Sequence, residues 1–185
     1  METHVCPWWL GYFLINPLRK YMHNPENIIG PFVKHGMKVI DYGCAMGYFS
    51  LPMAKKVGSY GKVYCFDIQQ RMIDKLMKRA GNANLEQIIE PRLIMEGNKL
   101  FDDINQICDF ALLFYVAHEV PDQQDLFFKL NKMLKPGAFL LFAEPKNHIK
   151  QKDFEQSVFL AANAGFTFNK FLKVSKSHAV LLERK

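Results

Sequence analysis

Apolar residues change their spacing along this chain in a regular alternation. From Met37 onward, short β-like apolar runs alternate with stretches whose apolar positions recur at helical spacing. Met37-Lys-Val-Ile-Asp41 reads as a strand closed by a glycine-rich turn, and Gly47 to Val57 as the helix leaving it. Pro52 is tolerated there only near the first turn, where its missing N–H has no intrahelical partner to lose. Gly58 to Gly61 then punctuates the chain, and Lys62-Val-Tyr-Cys-Phe-Asp67 predicts a second strand. In Gln69 to Ala80 the apolar residues Met72, Ile73, Leu76 and Met77 share one face of an amphipathic helix. Gly81-Asn82 is its predicted end.

Leu93 to Glu96 predicts a third strand and Cys108 to Tyr115 a fourth, whose continuous hydrophobicity implies burial on both faces. Pro121 and Asp122 open a helix with Leu126, Phe127, Leu130 and Leu134 on its apolar side, and Lys135-Pro136-Gly137 stops it. Ala138 to Ala143 reads as a fifth, fully apolar strand. Such runs belong to parallel sheets covered by helices on both sides. A helix from Lys152 to Ala164 precedes two β-like segments, Phe166 to Val174 and Ser177 to Leu182. Their short connection demands an antiparallel hairpin, since a parallel crossover needs about a dozen residues or more. The expected fold is an α/β sandwich ending in that hairpin, with no internal repeat and no linker.

Length and composition narrow this picture. The chain has 185 residues, enough for one domain with a sizeable core, and its 49% hydrophobic and 23% charged residues exclude disordered and collagen-like classes. Its longest apolar runs fall short of the roughly 18 to 20 residues a membrane helix needs, so no transmembrane span is expected. Met1-Glu2-Thr3-His4 lacks a basic leader and Pro7 interrupts the apolar stretch behind it, which gives a cytoplasmic expectation. Cys6, Cys44, Cys65 and Cys108 form no CxxC pair, and they read as reduced, mostly buried thiols with no metal site. The net charge of +6 lies in the ends: residues 41–140 carry twelve basic and twelve acidic residues, residues 141–185 eight and four.

The most informative segment is Val39-Ile-Asp-Tyr-Gly-Cys-Ala-Met-Gly-Tyr-Phe-Ser50. Gly43 and Gly47 sit between a strand and a helix, where the backbone turns sharply and helix N–H groups can meet a ligand. A dinucleotide fingerprint requires G-x-G-x-x-G, whereas the small residues here fall at 43, 45 and 47 and position 48 is tyrosine. Asp41 would repel a pyrophosphate but suits a cationic ligand carrying an ammonium and a sulfonium. Asp67 ends the second strand, placed to accept from ribose hydroxyls.

These residues resemble the class I S-adenosylmethionine-dependent methyltransferases of the small-molecule type, from Met37 to Lys185. Asp41-x-Gly43-x-Ala45-x-Gly47 is similar to their first motif, Val63 to Asp67 to the acidic second-strand motif, and Glu96-Gly97-Asn98 to the third-strand position that meets adenine. Leu134-Lys-Pro-Gly-Ala-Phe-Leu140 resembles their turn into the fifth strand, and Phe114 to Asp122 a stretch of many small-molecule enzymes. The resemblance implies a Rossmann-like three-layer sandwich whose seven-stranded, mostly parallel sheet runs 3-2-1-4-5-7-6. It implies S-adenosylmethionine as cofactor, with S-adenosylhomocysteine as product. Two departures stand out: Ala45 replaces the usual glycine, and Asn98 replaces aspartate while keeping an acceptor for the adenine amino group.

By the same resemblance, Asp41 and the backbone of Gly43, Cys44, Ala45 and Gly47 would hold the methionine end. Asp67 would take the ribose diol, Ile68 one face of adenine, and Gly97 and Asn98 its edge. For Asp67 a helix-capping role competes, and for Asn98 simple turn chemistry. Tyr115 joins the cofactor set with packing as its competing reading, which Tyr42 shares. His118, just beyond the fourth strand and titrating near neutral pH, is the candidate catalytic base, against a loop hydrogen bond. Residues 1–35 read as an N-terminal arm ahead of a catalytic domain at 36–185. Trp8, Trp9 and Tyr12 in that arm suggest a lid, a packing arm or a membrane-surface patch. The expected activity is methyl transfer to a small, anionic acceptor, the latter because Lys146, His148, Lys150 and Lys152 cluster after the fifth strand. An RNA methyltransferase and a nonenzymatic cofactor-binding or partner protein are the alternatives; oligomeric state is not legible.

Overall fold

The computed structural model describes residues 18–95, 101 and 103–185. Its strands are β1 (Lys38–Tyr42), β2 (Lys62–Asp67), β3 (Ile89–Leu93), β4 (Cys108–Phe114), β5 (Leu134–Pro145), β6 (Phe166–Phe171) and β7 (Ser177–Arg184). The helices are α1 (Arg19–Met22), α2 (Pro25–Ile28), α3 (Ser50–Val57), α4 (Gln70–Asn82), α5 (Gln123–Met133) and α6 (Gln151–Asn163). The strands form one seven-stranded sheet in the order β3-β2-β1-β4-β5-β7-β6, the Rossmann-like arrangement expected. The described residues divide into two compact units, 18–95 in one and Phe101 onward in the other.

In the first unit β1 pairs parallel with β2, from Lys38 opposite Lys62 to Tyr42 opposite Phe66, and β2 pairs parallel with β3. The apolar faces of α3 and α4, Met53, Ala54 and Val57 on one and Met72, Ile73 and Leu76 on the other, are buried. Helix α3 begins at Ser50 rather than Gly47, because Ala45 (φ +46°) and Gly47 (φ +81°) are left-handed and cannot join a right-handed helix. Helix α4 runs through Gly81 and Asn82 and ends at Ala83, with Asn84 (φ +55°) supplying the left-handed exit. The third strand is Ile89–Leu93, not Leu93 to Glu96. It includes Pro91, which an edge strand accepts because one side of its backbone needs no ladder partner.

In the second unit β4 and β5 are parallel, while β7 runs antiparallel to both β5 and β6. The expected hairpin is present, with its first strand ending at Phe171 rather than Val174. Strand β5 starts at Leu134, earlier than predicted, and its pairing jumps from Cys108 opposite Leu134 to Phe110 opposite Phe139. Lys135-Pro136-Gly137 therefore ends α5 as expected and then bulges out of the new strand, with Gly137 at φ +77°. Phe127 of α5 meets Phe142 of β5 edge-on at 5.5 Å, and Phe142 stacks on Phe154 of α6 at 5.0 Å. That aromatic column carries the core from helix to sheet to helix. Cys44, Cys65 and Cys108 are free and buried.

Candidate active site

Two clusters collect the candidate residues, each after the carboxyl ends of parallel strands, where open α/β sheets place ligands. The first is the loop leaving β1. Its backbone is strapped to β2: the N–H groups of Gly43 and Cys44 both donate to the Phe66 carbonyl, at 2.8 and 3.0 Å. Asp67 completes the strap, its Oδ2 accepting from Ala45 N and its Oδ1 from Gln69 N, each at 2.9 Å. One carboxylate thus joins the glycine loop to the start of α4. Burial pushes its acidity toward a higher pKa, against the lowering effect of those N–H groups. The capping alternative is met in part, since Asp67 serves Gln69 while Gln69 itself occupies the N-cap position.

Gly43 (φ +75°), Ala45 and Gly47 are all left-handed, so the loop coils tightly, with Gly47 N donating to the Cys44 carbonyl at 2.9 Å. Ala45 sits in a conformation that glycine adopts freely, which is the physical reason a glycine suits this position better. Arg79 of α4 donates to the Met46 carbonyl and holds the loop from below. Cys44 is buried against Cys65, and burial pushes its thiol well above the ordinary range. Ile68 is 51% exposed, an apolar side chain left open beside Asp67.

Asp41 is only 3% exposed. Ser50 Oγ donates to its Oδ2 at 2.5 Å, yet burial, reinforced by the negative charge of Asp67, raises its pKa to about 6. Arg19 opposes that rise, with its guanidinium 4.4 Å above the Tyr48 ring. A ligand cation beside Asp41 would relieve a carboxylate that is costly to ionise alone. The loop therefore fits a cofactor with a cationic amino-acid end. Asp67 fits a ribose hydroxyl, because its two carboxylate oxygens offer about four acceptor sites and the backbone N–H groups of Ala45, Gln69 and Ile68 do not use them all. Gly97 and Asn98, the expected adenine edge, lie outside the described residues, as do Trp8, Trp9 and Tyr12 of the expected lid.

The second cluster follows β4 and β5. Tyr115 (φ +65°) donates its N–H to the Ala143 carbonyl at 2.8 Å and stacks on Phe114 at 4.4 Å. Its hydroxyl lies 2.5 Å from Ser177 Oγ, whose own proton goes to the Ser175 carbonyl at 2.9 Å, so Tyr115 is the donor. His118 sits in a single 3-10 turn, Ala117–Glu119. Its Nδ1 is 2.6 Å from Glu144 Oε2, its backbone N–H donates to Glu144 Oε1 at 3.2 Å, and its Nε2 is 3.9 Å from Glu119 Oε1. The His148 ring lies nearly parallel, 6.5 Å away. The Glu144 hydrogen bond is the main cause of a pKa above the ordinary 6.5, with burial acting against it.

Glu144 is the residue that sequence reasoning missed. A lone acid between the apolar run Ala138 to Ala143 and Pro145 is the only local signal, and its partner is 26 residues away. The structure also adds lysines to the basic cluster. Lys146 N donates to the Lys176 carbonyl at 3.0 Å, which brings the loop after β5 against the β6–β7 connection. Lys146, Lys150, Lys152, Lys173 and Lys176 are all exposed.

The sequence profile of a family described as "Methyltransferase domain" matches residues 33–178. The chain belongs to the methyltransferase-domain family. This methyltransferase domain is 27% identical over 127 residues to a demethylmenaquinone methyltransferase of Lactobacillus johnsonii, covering 66% of this chain and 51% of that protein. It spans about half the length of such curated relatives, 44% for the one from Staphylococcus aureus. A SAM-dependent methyltransferase from Aquifex aeolicus superposes with a TM-score of 0.84 at 22% identity, covering 97% of this chain and 98% of that one. Aeropyrum pernix fibrillarin, solved with natively bound S-adenosyl-L-methionine, superposes with a TM-score of 0.65 at 15% identity, covering 82% of this chain and 68% of that one. The family expected from Asp41-x-Gly43-x-Ala45-x-Gly47 is thus the family found. Among the described residues no helix is long and apolar enough to cross a membrane.

Proposed function

We propose that the domain transfers a methyl group from S-adenosylmethionine to a small acceptor with an ionisable hydroxyl and anionic character. The observation that carries the reading is the left-handed loop Gly43 to Gly47 strapped to Asp67. Asp41 with the backbone of Gly43, Cys44, Ala45 and Gly47 holds the methionine end, Asp67 the ribose hydroxyls, Ile68 a face of adenine, and Gly97 and Asn98 its edge. Tyr115 belongs to the same proposed cofactor set. The cofactor supplies a methyl already activated on sulfonium sulfur. What remains for the chain is to align the acceptor, exclude water and remove a proton, the last by His118. Lys146, Lys150 and Lys176 favour an acceptor carrying negative charge.

The curated relatives named for demethylmenaquinone support a naphthoquinone-type acceptor; its reduced form would carry the ionisable hydroxyl, and 1,4-naphthohydroquinone is a suitable probe. The decisive first experiment is thermal unfolding with S-adenosylhomocysteine. At 100 times its dissociation constant a ligand adds about 2.7 kcal/mol, a rise of roughly 5 to 10 °C for a domain of this size. Asp67→Ala should lose that rise. A shift with NAD and none with S-adenosylhomocysteine would overturn the reading. Labelled cofactor incubated with the probe, with RNA and with metabolite extract then distinguishes the acceptor classes by mass.

A further inference from the structure

We propose that Glu144 is a positioning residue for His118, fixing which ring nitrogen carries the proton and turning the other toward a hydroxyl-bearing acceptor. This rests on the reading of His118 as the base. Glu144 is 1% exposed at the end of β5, and both of its oxygens are spent on His118: one takes the backbone N–H and the other Nδ1. Two contacts from one carboxylate set the ring's position and its plane together, which a single hydrogen bond cannot do. The 2.6 Å separation is that of a charge-assisted bond. A buried carboxylate accepts only, so the neutral ring must carry its hydrogen on Nδ1, and the lone pair is left on Nε2.

The substrate class follows from the proton balance. The acceptor's O–H bond breaks and its proton goes to Nε2, while the electron pair left on oxygen would form the new bond to the methyl as the cofactor's C–S bond breaks and S-adenosylhomocysteine leaves. Nδ1 keeps its own proton against Glu144, and the imidazolium later returns the Nε2 proton to water. S-adenosylmethionine is the one co-reactant, and no oxidant is needed. An imidazole made more basic than usual matches a hydroxyl of phenolic acidity, near 10, better than an aliphatic alcohol, whose proton it could not hold. The titratable groups that face the ring are Glu144 on β5, Glu119 on its own turn and His148 in the loop after β5. Both carboxylates favour the charged ring.

The experiment follows His118 by NMR titration of its ring protons in the cofactor-free protein, alongside the pH profile of S-adenosylhomocysteine formation with 1,4-naphthohydroquinone. In the unsubstituted chain the ring titrates above 6.5, and activity rises with pH through the same midpoint. Glu144→Gln keeps the shape and removes the charge. The expected result is a lower ring midpoint, the activity limb moved to acid by the same amount, and a plateau about tenfold lower or more, with the KM for cofactor unchanged. Glu144→Asp keeps the charge one methylene away. It should leave the ring midpoint above 6.5 and lower kcat, and it carries the test if the glutamine variant does not fold. An unmoved ring midpoint in Glu144→Gln overturns the Glu144 proposal and leaves the base assignment standing. A ring midpoint that falls while the activity limb stays fixed overturns His118 as the base, and the proposal with it.

Discussion

Gly47 holds φ +81°, and a β-carbon built there would stand 2.3 Å from Leu76 Cδ1 and 2.6 Å from Leu51 Cδ1. Gly47→Ala therefore combines a strained backbone with overpacking beneath the loop, and should cost about 2 to 4 kcal/mol in urea unfolding. It should also weaken S-adenosylhomocysteine binding, because the leucine ends can shift but the left-handed backbone of the loop stays strained. Asp41 behaves in the opposite way. Its rise from 3.8 to about 6 means that ionising it in place costs up to about 3 kcal/mol. The folded state binds the extra proton, so this cost is absent below about pH 4 and grows as pH rises through 6. Asp41→Asn should raise the midpoint of the cofactor-free domain at pH 8, flatten its pH dependence between 4 and 6, and abolish the cofactor-induced rise. An Asn variant no more stable at pH 8 than at pH 4, relative to the unsubstituted chain, would contradict the assignment. The loop that joins Asp41, Gly47 and Asp67 could be read because its motif spacing is local in sequence. The contact of Glu144 with His118 could not, because it joins residues 26 apart.

At the scale of elements, periodicity and burial agreed for Met72, Ile73 and Leu76 of α4 and for Leu126, Phe127 and Leu130 of α5, while Met77 is only half-buried and Leu134 opens β5. Helix α5 follows its expected start, with Asp122 Oδ1 accepting from Asp125 N at 2.9 Å. Asp122→Ala removes this cap and should destabilise the domain by about 1 kcal/mol, read as a lower urea midpoint with an unchanged slope; Asp122→Ser should recover most of it. The misplaced elements have different causes. Gly81 was weighed by its intrinsic preference and the tertiary setting outweighed it, whereas the strand that contains Pro91 lies earlier in the chain than the apolar run that was taken for it. An edge strand tolerates the proline, and the helix that buries Met72, Ile73, Leu76 and Ala80 carries the glycine through its last turn. Lys135-Pro136-Gly137 shows a third case, in which stop chemistry correctly ended a helix and then became a bulge within the next strand. Local rules predicted the break there, but not that pairing would resume on both sides of it.

Over the whole molecule, strand order was beyond any local pattern, since periodicity identifies strands without their neighbours; only the family resemblance supplied 3-2-1-4-5-7-6. Charge is the other property that belongs to this scale. The net +6 could mark a nucleic-acid footprint, but residues 41–140 are balanced and residues 141–185 hold eight basic against four acidic residues. The fold gathers part of that excess, because the loop bearing Lys146 is hydrogen-bonded to the connection bearing Lys176. Exposed charges act mainly on encounter and are screened within about 8 Å at physiological ionic strength. The double variant Lys146→Glu/Lys176→Glu should therefore raise KM for an anionic acceptor several-fold at low salt and much less at 0.5 M salt. Cofactor affinity and the His118 titration should stay near those of the unsubstituted chain. Equal loss at both ionic strengths would mean a structural defect instead of a lost field. Tight, steeply salt-dependent binding of RNA that the double variant abolishes would turn the same lysines into a nucleic-acid surface and replace the small acceptor by a polymer.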